Sequence, residues 1–547
     1  MRISKIYSDH MILQRGKKNT ISGTAEPDET VSILFRGENY VTTADGTGNW
    51  LIEIPPYFPD EDYGPFEMVL KGSAGETISL KDILYGDVFL LGGQSNMELP
   101  LDRTRDCYEE EINHAAEYGI RMFQVAKVFD FSEELKIPDT GEWLCVMPDT
   151  VKDFSAIGYF FAKMYREKEN VPVGLVHTAV GGAPIEAYMS RTNIQSTAKK
   201  IRETHDLKCK CDGNKNMGCI FCYDKLLKED KNPEYIAKVQ EDDGQRIAAW
   251  YEALEKGDPG LENGWVHKWE ESEDSITLPG FFKGTEYENY RGSLWLQKTV
   301  NIPESMTCKD AMLSLGTLVD SDRTYLNGEL AGETEYKYPP RRYVLKKGKI
   351  KAGENVITIR LCMDNNIGGA LPDMPYYIKC GDEKVSLEGE WQLRKGFACD
   401  GLEGETFFIW HPAALFHSMI ASIKEVSFKA VLFYQGESNC GYPEYYAELL
   451  IAMVEEWRGL FGETIPFFMV ELPYFLGDGP EYIDDPFAGV RKAQHEAVKQ
   501  MKNVYLAEIY DLGQYNELHP QNKKEVAKRI FDLYINTIME ENNEKIK

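Results

Sequence analysis

Residues Leu84 to Leu101 read LYGDVFLLGGQSNMELPL. The apolar run Val88 to Leu91 has the length of a buried strand, and it stops at Gly92-Gly93, where the backbone is free to turn sharply. Ser95 is therefore expected just past a strand end. In α/β sheets that rim is where ligands bind, and a hydroxyl carried there on a tight turn faces substrate instead of packing into the core. Read alone, Gly-Gly-Gln-Ser-Asn also fits a plain polar turn. Two distant stretches favour the functional reading, Tyr434 to Asn439 (YQGESN) and Asn516 to Pro520 (NELHP), because they supply the partners such a serine needs.

Working outward, the chain from Ile83 alternates strands with longer helical patterns. Ala156 to Tyr165 is apolar at helical spacing, Val173 to Thr178 reads as a strand, and Val180 to Glu186 (VGGAPIE) is a Gly-rich strand-to-helix turn. That alternation predicts a parallel sheet with crossover helices. The rhythm resumes after Glu403 with strands at Ala430–Tyr434, Phe467–Val470 and Val504–Ile509. Helices are expected at Ala414–Ile420, Tyr445–Trp457, Ala488–Gln500 and from Pro520 to about Ile538.

Two β-patterned regions flank or interrupt this domain. Residues 1–82 read as short strands and turns, such as Val31–Phe35 and Trp50–Ile54, and predict a small β-sandwich without a cluster of catalytic residue types. Residues 260–395 turn all-β again, with alternation at Ser293–Val300 and Asn355–Leu361 and an Asn327-Gly328 hairpin signal. The expected organisation is thus a β-sandwich at 1–82, a first α/β half at 83–259, a β insertion at 260–395 and a second α/β half at 396–547.

Composition narrows the function classes. With 547 residues the chain is too long for one core, and 43% hydrophobic with 27% charged residues is ordinary for globular protein. A net charge of −28 argues against nucleic acid and anionic membrane surfaces as partners. No apolar run has the length of a membrane span or a signal-peptide core, so a cytoplasmic location is expected. Eleven cysteines, odd in number and scattered, fit free thiols there. Cys209, Cys211, Cys219 and Cys222 are the exception. Two close pairs in a charged insertion near 199–230 could hold one structural zinc, although the first pair has only one intervening residue; free thiols or redox pairing are the other reading.

Serine is a weak nucleophile unless a base takes its proton and fixed donors receive the charge on the carbonyl oxygen. Of nine histidines, His519 is expected in a loop after the last strand, just before the helix that Pro520 opens, where its imidazole can reach Ser95. The alternative for His519 is a surface residue at a helix start.

Four ordered motifs, GQSNM at Gly93–Met97, GGAPIEAY at Gly181–Tyr188, YQGESN at Tyr434–Asn439 and the final LHP with Lys523 downstream, resemble the sialate O-acetylesterase family of SGNH-type hydrolases. The resemblance implies an SGNH (flavodoxin-like α/β/α) hydrolase domain with an N-terminal β-sandwich and an inserted jelly-roll β domain. The order of features in the insertion also resembles the sugar-binding domain at the front of family 2 glycoside hydrolases. The resemblance further implies removal of acetyl groups from sugars. By motif position Ser95 is the nucleophile and His519 the general base. The oxyanion donors are the N–H groups of Ser95, Gly181 and Gly182 with the side-chain amide of Asn439. Gln94, Gln435 and Glu437 line or brace the site.

Many bacterial relatives carry an aspartate two positions before the histidine, and the wider SGNH group has one three positions before; this chain has Glu517 and Asn516 there. The group that orients the imidazole is Glu517, Asp511 at the end of the preceding strand, or a backbone carbonyl in a Ser-His dyad. A sialate substrate needs its carboxylate recognised, and Arg103, Arg105 and Arg491 are candidates, with surface salt bridging as the alternative for each. No cofactor is expected for catalysis. Acetylated xylan or other plant glycan is the rival substrate, and a carbohydrate-binding protein without turnover is the rival class. Oligomeric state is not readable from the sequence.

Overall fold

The computed structural model describes residues 1–131, 138–205, 220–270, 272, 274–475, 485–514 and 517–546, with backbone alone from 538 onward. The described chain divides into two units, Met1–Ile236 with Phe407–Gly477 and Glu481–Lys547, and Ala237–Thr406.

The first unit is built around one long strand, β1 (Thr77–Gly93). Its first part pairs antiparallel with Phe66–Gly72 and belongs to the N-terminal β-sandwich, whose inward residues include Val31, Ile33, Trp50, Ile52, Met68 and Leu70. Its second part, buried without a break from Ile83 to Gly93, is the centre of a mixed sheet. The other strands of that sheet are β2 (Glu117–Gln124), β3 (Trp143–Val146), β4 (Val173–His177), β5 (Ala430–Tyr434), β6 (Phe467–Val470) and β7 (Val504–Ala507). The order is β3-β2-β4-β1-β5-β6-β7, all parallel except β3 at the edge. The chain leaves β1 toward β2 on one side and leaves β5 toward β6 on the other. The crevice beyond the carboxyl ends of β1 and β5 is therefore the point where the winding reverses, the position at which open α/β sheets bind ligands.

Helices cover both faces. Side chains alternate along β1, so Phe89 meets Phe161, Tyr165 and Tyr534 at 5.0, 5.0 and 5.9 Å between ring centroids on one face. These come from α1 (Ala156–Glu169) and the last helix, Lys523–Ile546. On the other face Trp457, from the helix Tyr446–Phe461, packs on Phe433 and against Gly92. Ser155 caps α1 by accepting the Gly158 N–H at 3.1 Å, and Asn170 in the left-handed region ends it.

The second unit has its own core between two antiparallel sheets. The six-stranded sheet contributes Leu294, Leu296, Ile357, Ile359 and Leu361, and the four-stranded sheet contributes Leu313, Leu315 and Ile378. Asn327 and Gly328, both at positive φ, form the expected two-residue hairpin turn. The unit is wider than 260–395 because the end of the helix Pro233–Gly257 packs within it. Leu254 is fully buried, and the guanidinium of Arg360 bridges Asp258 and Glu255.

Two elements differ from their expectation. Ala414–Ile420 forms no regular α-helix but a wide turn at Phe416–Ile420 followed by a tight one at Ala421–Ile423, and the final helix starts at Lys523 instead of Pro520. Among the described residues no helix is long and apolar enough to cross a membrane. Phe89→Ala removes the ring on which three aromatic side chains converge. It should lower the unfolding free energy by about 3–5 kcal/mol in urea titration, and a loss under about 1 kcal/mol would contradict this packing.

Candidate active site

Ser95 is delivered by a constraint at the end of β1. Gly93 has φ +118°, and a Cβ there would lie 2.0 Å from the carbonyl oxygen of Tyr434, so only glycine lets the two strand ends approach this closely. The Gln94 N–H then donates to that same carbonyl at 2.9 Å, and Ser95 opens a single turn of helix, Ser95–Glu98. The Oγ of Ser95 lies 2.7 Å from Nε2 of His519. The serine and the base predicted from distant parts of the chain thus meet, with both residues partly exposed.

The turn after β4 borders the serine. A Cβ on Gly181 would be 3.6 Å from that of Ser95 and 2.9 Å from the carboxylate of Glu98, which pairs with Lys127. Gly182 has φ +75°, and a Cβ there would strike the Trp410 indole at 2.2 Å. Trp410 Nε1 donates to the Gly181 carbonyl at 2.7 Å, and the Ser438 hydroxyl donates to the Gly182 carbonyl at 2.8 Å. With those oxygens held, the N–H groups of Gly181 and Gly182, like that of Ser95 in the first helical turn, have no hydrogen-bond partner among the described residues. Asn439 is oriented with equal care. Its Oδ1 accepts from the Ile185 N–H and from Gln435 Nε2 at 3.0 and 2.7 Å, and its Nδ2 donates to Glu186 at 2.8 Å, leaving one amide hydrogen. The Tyr223 hydroxyl holds the other oxygen of Glu186. Burial raises the Glu186 carboxyl above the usual carboxylate range, while the Tyr223 and Asn439 hydrogen bonds oppose it.

A family profile described as a sialic acid-specific acetylesterase carbohydrate esterase matches residues 85–213 and 400–536, the two segments that carry this geometry. Through these segments the chain is similar to that family. Sialate O-acetylesterases of rat and human are 27% and 24% identical over 212 residues, which is 36% of this chain and 38% and 40% of theirs. The chain thus matches about two fifths of the length of these relatives. A carbohydrate acetylesterase structure from Xanthomonas citri shares the fold with a TM-score of 0.54 and 19% identity, over 97% of this chain and 73% of that one.

The remaining predicted residues separate into groups. Gln94 and Gln435 are buried braces: Gln94 Oε1 accepts from Gln435 Nε2 and the Ser438 N–H, both at 3.1 Å, and Gln435 Oε1 accepts from Tyr446. Glu437 accepts from Asn96 Nδ2 at 2.6 Å, and burial pushes its carboxyl up. Arg103 stands near enough for its charge to lower the Glu517 carboxyl, although burial outweighs it and the net shift is upward.

Asp511 and Arg491 do not join the site. Asp511 is exposed on a surface turn, and its carboxylate pairs with Arg529, with Oδ2 2.7 Å from NH2, so it is not the group that orients the imidazole. Arg491 donates to Asp485 and to the carbonyl of Pro473 and lies over the Tyr510 ring, which commits its guanidinium to a structural brace. Arg105 likewise pairs with Asp102. Glu517 accepts from the backbone N–H of His519 at 2.8 Å, and among the described residues its carboxylate makes no hydrogen bond to the ring. Asn516 lies outside the described residues. So do Cys209, Cys211 and Cys219; Cys222 immediately precedes the helix Tyr223–Glu229.

Sequence reading passed over Asn96, Glu186 and Trp410. The first two lie inside the quoted motifs, where a polar residue beside a nucleophile or oxyanion turn is a signal in itself; Trp410 carries none. Lys523 is 1% exposed and donates to Asn96 Oδ1 at 2.5 Å. Burial lowers its pKa to about 7 against the pull of Glu437 and Glu517. Between about pH 7 and ~10.5 the unfolded chain therefore holds a lysine proton that the folded chain has released, so this residue makes stability rise with pH across that window. Urea titrations of Lys523→Met should lose that component, at most about 1.4 kcal/mol per pH unit. An unchanged slope would show that the side chain is charged throughout.

Proposed function

We propose that this chain is a serine esterase that removes O-acetyl groups from carbohydrates through an acetyl-enzyme. One observation carries the reading: an Oγ to Nε2 distance of 2.7 Å, with three backbone N–H groups of the same and neighbouring turns that have no partner among the described residues and an Asn439 amide that keeps one hydrogen. In this scheme His519 accepts the Ser95 proton as Oγ attacks the acetyl carbonyl. The N–H groups of Ser95, Gly181 and Gly182 and the Asn439 amide receive the oxyanion. The sugar hydroxyl departs with the proton returned by His519, and water deacylates Ser95 by the same route. The reaction uses no cofactor; zinc in the cysteine cluster would be structural, and metal analysis of reduced protein tests it. The topology of the first unit supports an SGNH-type hydrolase domain, and the paired sheets of the second support a jelly-roll insertion.

Sialate is the substrate to which the matching family profile points, and Arg103, whose charge acts on Glu517, is the candidate for its carboxylate. A neutral acetylated glycan such as acetylxylan is favoured by a separate observation: Arg491 and Arg105 are engaged elsewhere, and the Glu98 carboxylate borders the Gly181 turn. Ser95→Ala should lower turnover of 4-nitrophenyl acetate on the order of 10³ to 10⁶-fold and Asn439→Ala about 10² to 10³-fold. Wild-type rates in Ser95→Ala would remove Ser95 as the nucleophile, and no hydrolysis by the wild-type chain would leave a carbohydrate-binding protein as the reading. Acetate release from O-acetylated sialate and from acetylated xylan fragments, measured side by side, assigns the substrate.

A further inference from the structure

Serine and histidine sit on loops that follow different strands, so something must keep Oγ and Nε2 at hydrogen-bonding distance. Asn96 follows Ser95, and Leu518 precedes His519. The Asn96 side-chain Nδ2 donates to the Leu518 carbonyl at 3.0 Å and to Glu437 Oε1 at 2.6 Å, while its Oδ1 accepts from Lys523 Nζ at 2.5 Å. One buried amide therefore touches three segments: the nucleophile turn through its own backbone, the histidine loop through Leu518 and the oxyanion loop through Glu437. Asn96 and Lys523 are each 1% exposed, so water does not compete for these bonds. An amide needs its two ends told apart. While Lys523 carries its proton, its ammonium can only donate, so it must face Oδ1, and the Glu437 oxygen and the Leu518 carbonyl then face Nδ2, which fixes the rotamer of the amide.

We infer that Asn96 is a positioning residue that sets the Ser95–His519 distance by pinning the Leu518 carbonyl, and that Lys523 acts through it by fixing the orientation of its amide. The inference rests on the serine esterase reading above. It accounts for a lysine placed in a fully buried position beside the site with no surface role, at a cost that a methionine of similar length would avoid.

The test uses the full chain and 4-nitrophenyl acetate, with melting temperature as the folding control. Asn96→Ala should lower kcat about 10- to 100-fold with KM within about twofold, the pattern of a misplaced catalytic pair instead of lost binding. Asn96→Asp keeps an acceptor for Lys523 but loses the hydrogen to Leu518, and it should fall by the same order. Lys523→Met should also lower kcat. Combined with Asn96→Ala it should cost no more than about threefold beyond Asn96→Ala alone, because a residue that acts through another adds nothing once that other is gone. Either Asn96 variant turning over within about threefold of wild type overturns the inference, as do fully additive losses in the double variant. If Lys523→Met does not fold, the two Asn96 variants decide. Ser95→Ala run in parallel separates the levels: activity there defeats the esterase reading, whereas a dead Ser95→Ala beside a fully active Asn96→Ala defeats the positioning role alone.

Discussion

The close approach of two strand ends governs this structure. At Gly93 the backbone of β1 passes so near the Tyr434 carbonyl of β5 that any side chain would collide with it, and the bond from the Gln94 N–H then locks the exit direction of the chain. Everything in the site is measured from that point. Ser95 emerges at the crevice where the sheet reverses its winding. The loop after β5 brings Asn439 and Glu437 to the same rim, and the turn after β4 brings its two glycines alongside.

Around the rim, polar side chains are used to hold backbone instead of facing solvent. Trp410 and Ser438 take the carbonyl oxygens of the glycine turn, which fixes its backbone beside Ser95. Glu186 fixes the Asn439 amide, and Gln94 and Gln435 tie the loop after β5 to the serine turn. Such preorganisation matters because donors already in place need no rearrangement as charge develops. The same hydrogen bonds hold two buried carboxyls: Glu186 accepts at both oxygens and Glu437 at one, while burial raises both above the usual carboxylate range.

Much of this was legible in the sequence because its signals are local. Gly92-Gly93 after an apolar run, Gly181-Gly182 after Val173–Thr178, and the Asn327-Gly328 hairpin each state their geometry within a few residues, and strands β5 and β6 match the predicted bounds to the residue. The pairing of Ser95 with His519 was readable from motif order. What escaped depends on contacts that no spacing encodes. Whether Asp511 faces the imidazole or Arg529 is decided by the helix that presents Arg529, and Arg491 by the carbonyl and carboxylate it happens to meet. The extent of the second unit was hidden because the helix that enlarges it carries no β pattern. The wide turn at Phe416–Ile420 was read as a helix because its apolar residues have helical composition, although the backbone there does not close the usual hydrogen-bonded ring.

The contact between Ser95 and His519 spans 424 positions in the chain. At ribosomal rates of ~5–20 residues per second, the nascent serine turn waits on the order of 20 to 80 seconds before its histidine is made. During that interval β1 can settle against the N-terminal sandwich, β2 and β4, but its other edge, the one that β5 will occupy, stays open. A long apolar strand with an unpaired edge is an invitation to intermolecular pairing. Synthesis order thus keeps an edge in the middle of this sheet, and not at its rim, unpaired until the Ala430–Tyr434 strand is made.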